Sequence, residues 1–140
     1  MSAITIEQFN AIAEGALPFA QLMGLQLETI DENSVTMRAV YNDTFLRPGG
    51  TVSGPVMMGL ADAAVYALIL SHIGPVELAV TTNLNINFLR KPEPGDVIAK
   101  ASMLKLGKRL AVAQAYLFSA SDDTGEPVAH VTSTYSIPPR

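Results

Sequence analysis

The sequence contains no cysteine and no tryptophan, and only two histidines. Without cysteine there is no disulfide, no thiolate nucleophile and no thiolate metal site. The histidines, His72 and His130, lie far apart and offer no metal-ligand spacing, so no metal site is expected. Charge is scarce as well: 16% of residues are Asp, Glu, Lys or Arg, and the net charge is -4. That balance argues against a nucleic-acid surface. The first ten residues, MSAITIEQFN, carry an acid and no basic stretch. They do not read as a secretory signal, so a cytoplasmic location is the expectation.

What remains is apolar. Hydrophobic residues make up 49% of 140 positions, enough for one domain over 1–140 with a real core. A small chain so lean in charge is expected to hide more surface in a homo-oligomer, a dimer or a dimer of dimers.

Residues 1–23 read as a helical segment. Thr5 and Gln8 form a capping-box pattern, Ile6, Phe9, Ile12 and Ala13 make an apolar stripe, and Pro18 opens a second short helix closed by Gly24. Leu25, Leu27 and Thr29, then Val35, Met37, Ala39 and Tyr41, alternate with polar residues as a hairpin. A Gly/Pro-rich loop over 42–54 leads to a long apolar helix over 56–73. Three or four further strands follow: 80–88, a stretch from Val97 to Leu106, one from Lys108 to Ser119, and a last one closing near Ile137. This order predicts an α+β fold, with an antiparallel sheet wrapped around a long central helix.

The long apolar helix approaches the ~20 residues that cross a bilayer. Asp62 and His72 lie within it, Gly-Pro pairs bracket it, and no Lys or Arg adjoins its ends. A core helix, not a membrane span, is the expectation.

Asp62 is the one charged residue between Arg47 and Glu77. A carboxylate among Val, Met, Leu and Ala loses hydration, which strengthens it as a base or nucleophile. It also has a purely structural alternative, as an acid hydrogen-bonded to a loop. Ahead of it, Gly49-Gly50-Thr51-Val52-Ser53-Gly54-Pro55 feeds the helix N-terminus, where free N–H groups and the helix dipole can hold a developing oxyanion. The alternative there is a turn shaped by glycine, with Pro55 at the first helical position.

The blocks from Gly50 to Pro55, Leu60-Ala61-Asp62, Thr81 to Arg90 and Pro94-Gly95-Asp96 resemble the hotdog acyl-CoA thioesterases of the phenylacetic-acid-degradation (PaaI-like) type. The resemblance implies a hotdog fold, commonly a homotetramer, and hydrolysis of an acyl-CoA at a site shared by two protomers, with no cofactor because coenzyme A is part of the substrate. It assigns the oxyanion N–H to Gly54 and the base or nucleophile role to Asp62. Thr81 falls where a water-orienting Ser or Thr is common. Ser53 stands where the family usually has His and is the third catalytic candidate, since its hydroxyl can hydrogen-bond the thioester carbonyl without imidazolium charge; Pro55 replaces a second glycine. Arg47 falls where some members have Asn, and could take over a polar contact. Asn83, in the matching strand block, is a further candidate for substrate binding. Arg90, Lys91, Lys108 and Arg109 are the candidates for coenzyme A phosphates, with ordinary solvated charge as the alternative. Met57, Met58, Met103 and Leu117 are candidates for an acyl pocket or for plain core. Competing readings are a non-catalytic acyl-CoA-binding protein and an enoyl-CoA hydratase or dehydratase; the missing loop His disfavours the latter.

Overall fold

The structure, a computed structural model, describes residues 2–139. Helix α1 (Ile6–Ala16) starts on a full capping box: the Thr5 side chain accepts from the Gln8 N–H, and Gln8 reaches back to the Thr5 N–H. Pro18 opens α2 (Pro18–Leu22), and the chain turns into β1 (Leu25–Ile30) through Gly24, whose φ of 65° suits glycine.

Strands β1 and β2 (Ser34–Ala39) form the expected hairpin. The following loop is more ordered than its composition suggests. A 3-10 turn over Asp43–Phe45 leads into a two-stranded ribbon, β3 (Leu46–Arg47) and β4 (Thr51–Val52), closed by Gly49 and Gly50 at φ of 97° and 75°.

The long helix, α3, spans Gly54–Ile73 and begins two residues earlier than its apolar run suggests. Ser53 is its N-cap and Pro55 its second residue, not its first. Four strands then complete the sheet: β5 (Val80–Phe88), β6 (Val97–Leu106), β7 (Leu110–Ser119) and β8 (Ala129–Ser136). The antiparallel order is β1-β2-β6-β7-β8-β5, which leaves β1 and β5 as edges.

Small residues let the sheet close on the helix. Ala99, Ala101, Ala111, Ala113, Ala115 and Ala129 on its inner face are all fully buried, as are Ala61 and Ala64 of α3. The second half of α3, from Ala64 to Ser71, is buried on every side. It is the core helix of the fold. Its first half is covered on one side only, with Met58 exposed and Gly59, Asp62 and Ala63 half-buried. Leu68 and Leu117 are fully enclosed, so truncating either to Ala would cost about 2–5 kcal/mol. Asp96 of the Pro94-Gly95-Asp96 turn ties β2 to β6, accepting from the Tyr41 N–H at 2.7 Å and the Arg38 guanidinium at 3.0 Å.

Candidate active site

Asp62 lies in the one-sided half of α3. It is therefore half-buried on a cavity wall, not enclosed as its neighbours in sequence imply. The cavity, about 440 Å³, lies between α3, the junction of α1 with α2, and the starts of β1 and β5. Leu17, Phe19, Leu25, Ala63 and Tyr66 make its surface largely apolar.

Two hydroxyls meet the carboxylate. Thr81 on β5 donates to Oδ1 at 2.6 Å, and Tyr135 on β8 donates to the same oxygen at 2.8 Å. The Tyr135 hydroxyl also lies 3.0 Å from the Asp62 backbone oxygen. Tyr135 is only 2% exposed. Burial, with the Asp62 charge adding to it, pushes its phenol far above the usual tyrosine range. It is thus a committed donor at any ordinary pH.

Thr81 reaches Asp62 because β5 carries a bulge. Strict alternation would put Thr81 with Asn83 and Asn85, away from Leu84 and Ile86. The β5–β8 register instead skips between Thr81 and Asn83, leaving Thr82 as the extra residue. Thr81 pairs with Tyr135 on the inner face, while Leu84 and Ile86 also pack on the core. Its hydroxyl proton is spent on Asp62, so it does not orient water by donating to it. Asn83 is exposed, and its backbone oxygen accepts from Ser133 at 3.0 Å.

Gly54 belongs to a second cavity, about 400 Å³, bordered by Arg47, Met57, Phe88, Arg90 and Lys91. Asp62 lies eight positions further along the helix, about 12 Å along the axis. A side chain at Gly54 would meet the Phe88 ring, with Cβ 3.1 Å from Cζ. The N–H groups of the first helical turn have no partner within the helix. Ser53 holds the loop through its N–H, which donates to the Phe45 oxygen at 2.8 Å, but its hydroxyl makes no capping bond.

The four basic candidates divide. Arg90 and Lys91 follow the end of β5, beside Gly54, and Arg90 pairs with Glu126 at an exposed site. Lys108 and Arg109 sit in the β6–β7 hairpin, whose Leu110 pairs with Ser136 and, through it, lies next to Val80 at the start of β5. The two groups are thus at opposite ends of a strand about 26 Å long. Within one chain they do not form one mouth.

Of the proposed acyl-pocket residues, Met57 borders the Gly54 cavity, Met58 is 41% exposed, and Leu117 and Met103 belong to the core. None lines the cavity beside Asp62, whose apolar wall comes largely from the N-terminal segment. Tyr135 is the residue that sequence reasoning missed. The alternation of Val131, Ser133 and Tyr135 as buried positions pointed it inward; only strand pairing places it opposite Thr81. His72 bonds the Leu68 oxygen near the end of α3, and His130 meets Gln114 and Tyr116 on the sheet.

Comparisons with known proteins agree with this architecture. The Thioesterase superfamily matches residues 49–126. A crystal structure of a "putative thioesterase" from Silicibacter is 45% identical; the match covers 99% of this chain and 95% of that one, with a TM-score of 0.87. The PaaI protein of E. coli, from its phenylacetic acid degradation operon, is 20% identical, with 95% and 92% covered and a TM-score of 0.81. A "putative esterase" of Thermoplasma acidophilum is 28% identical over 85% of this chain and 87% of its own length. The chain belongs to the Thioesterase superfamily of thioester hydrolases, and its fold is the hotdog fold that it shares with the PaaI protein.

Proposed function

We propose that the protein hydrolyses an acyl-CoA thioester to the free acid and coenzyme A, at a site completed by a second copy of the chain. The observation that carries this reading is Asp62: a carboxylate fixed by two hydroxyls on the wall of an apolar cavity. Such a group suits activation of water, or direct attack, beside an acyl chain held away from solvent.

The distance from Gly54 to Asp62 supports a shared site. Strand β5 is an edge of nine residues with one side unpaired. Antiparallel pairing of two such edges would set the Phe88 end of one chain against the Val80 end of the other. The Gly54 cavity of one copy would then adjoin the Asp62 cavity of its partner. The basic groups at opposite ends of the strand, Arg90 and Lys91 with Lys108 and Arg109, would also converge, where they can hold coenzyme A phosphates together with Arg47. Asn83, on the same strand, would lie along the junction.

In this scheme the Gly54 N–H binds the carbonyl oxygen as it becomes negative, and the Ser53 hydroxyl adds a neutral donor without imidazolium charge. Asp62 takes a proton from water as the water oxygen bonds to the carbonyl carbon; alternatively it bonds to that carbon itself, and the mixed anhydride left after loss of the thiolate is hydrolysed by water to the free acid and the Asp62 carboxylate. The C–S bond breaks, and the coenzyme A thiolate leaves and takes up a proton. No metal or cofactor enters the scheme; coenzyme A is part of the substrate. Neither a nucleic acid nor a membrane is a partner in it. Work on acyl-CoA fits a cytoplasmic location, and a dimer, alone or paired into a tetramer, fits the shared site.

The test is thiol release from short, medium, long and aryl acyl-CoAs, with calorimetric binding of the same esters. Turnover of at least one ester is expected. Binding without turnover would establish the non-catalytic module that Ser53, in place of His, leaves as the second reading. No interaction with any ester would refute both.

A further inference from the structure

We infer that Tyr135 is a positioning residue for this hydrolysis: with Thr81 it ties down one oxygen of Asp62, Oδ1, and so assigns the reaction to the other, Oδ2. The inference rests on the reading of Asp62 as the reacting acid. It starts from an asymmetry. Both hydroxyls donate to Oδ1, at 2.6 Å and 2.8 Å, while Oδ2 accepts nothing from the described residues.

An aspartate carboxyl turns easily about its last bond, a broad and nearly two-fold torsion. Left alone, it would exchange its oxygens and present each in turn. Two donors on one oxygen, one from β5 and one from β8, hold the plane from different elements of the sheet. Tyr135 is the stiffer of the two. Its ring is enclosed, its centroid lies 6.3 Å from that of Tyr66, and its hydroxyl touches both the side chain and the backbone of residue 62. Burial keeps the phenol protonated, so the donor persists through the catalytic pH range. Tyr135 also lies outside the segment 49–126 that the superfamily matches.

Hydrogen bonds to a carboxylate favour its charged form. Whether Asp62 acts as base or nucleophile, Oδ2 then either receives the proton of water or bonds to the carbonyl carbon, and Oδ1 keeps both donors. The titratable groups around the pair are few. Tyr66 comes from α3 and Glu77 from the turn before β5, while the stretch from Ala16 to Ala20 that walls the cavity brings none.

Tyr135→Phe keeps the ring and removes only the hydroxyl. We expect kcat to fall roughly tenfold with KM within about twofold of wild type, the mark of an interaction used in the transition state. The acid limb of the kcat/KM profile should move up by about one pH unit, the shift carried by a charge-assisted hydrogen bond. A purely structural role would lower Tm and leave the limb in place, and that result overturns the inference. Should Tyr135→Phe fail to fold, Thr81→Val removes the second donor from the same oxygen, and an unmoved acid limb there is equally contrary. Asp62→Asn run in parallel separates the two levels. If it retains full turnover, the reading of Asp62 fails. If it is inactive while Tyr135→Phe keeps the wild-type kcat and acid limb, only the positioning role fails.

Discussion

The ring of Phe88 occupies the space a side chain on Gly54 would need: a Cβ built there lies 3.1 Å from Cζ and 3.5 Å from Cε1. Gly54 has no left-handed backbone, so the close ring, not backbone freedom, is what calls for glycine. Gly54→Ala should displace the ring, disturb the helix N-terminus, and lower kcat/KM by about tenfold or more. Phe88→Leu in the same chain should recover part of that loss, because the pair shares one contact. A double-mutant cycle on thiol release checks this; strictly additive losses would show that the ring is not the cause.

Most of the fold was legible in the sequence. Thr5, Gln8, Pro18 and Gly24 marked the first two helices through local hydrogen-bonding and φ requirements that need no tertiary information. Asp62 and the loop before it stood out because charge and glycine are rare in their surroundings. What escaped was non-local. The bulge at Thr82 reverses the face of Thr81 relative to Leu84, and nothing in the alternation of β5 announces it. Tyr135 becomes a partner of Asp62 only once β8 pairs with β5, across 73 residues of chain. That Arg90 and Lys91 lie at the opposite end of β5 from Lys108 and Arg109 is likewise set by strand pairing, not by local sequence.

Alkaline stability reports on Tyr135 independently of catalysis. Its phenol is raised far above the value of about 10 expected in the unfolded chain. Below pH 10 both states hold the proton and the contribution is complete. Above it the unfolded state ionises first, binds fewer protons than the native state, and stability falls as pH rises. Tyr66, raised by burial and by Glu77, acts in the same direction. Urea unfolding between pH 8 and 11 should therefore show a decline above about pH 10, shallower in Tyr135→Phe. Equal slopes in the two proteins would contradict the enclosed phenol.

The apolar wall beside Asp62 should set acyl length. Phe19 is 62% exposed at the mouth of that cavity, and Gly59 gives α2 room: a Cβ there would lie 2.9 Å from the Met23 sulfur and 3.4 Å from the Phe19 ring. Phe19→Ala opens the outer end. Relative kcat/KM for longer acyl chains should rise by about 5–10-fold, the range available from a few apolar contacts. An unchanged length profile would remove the N-terminal segment from specificity.

A shared site predicts complementation. Neither Asp62→Asn nor Gly54→Val should turn over alone. When the two are co-expressed, half the dimers are mixed, and each mixed dimer has one intact site, giving about a quarter of wild-type activity. No recovery in mixed dimers verified by mass spectrometry would place Gly54 and Asp62 in one chain's site, or in none.

The central claim is that Asp62 performs the chemistry. Asp62→Asn keeps the size of the side chain and still offers Oδ1 as an acceptor to Thr81 and Tyr135, but has neither charge nor basicity. With the best acyl-CoA substrate, kcat for the folded variant should fall by about a thousandfold or more. Turnover within a few-fold of wild type, in a variant with unaltered Tm, would contradict the account.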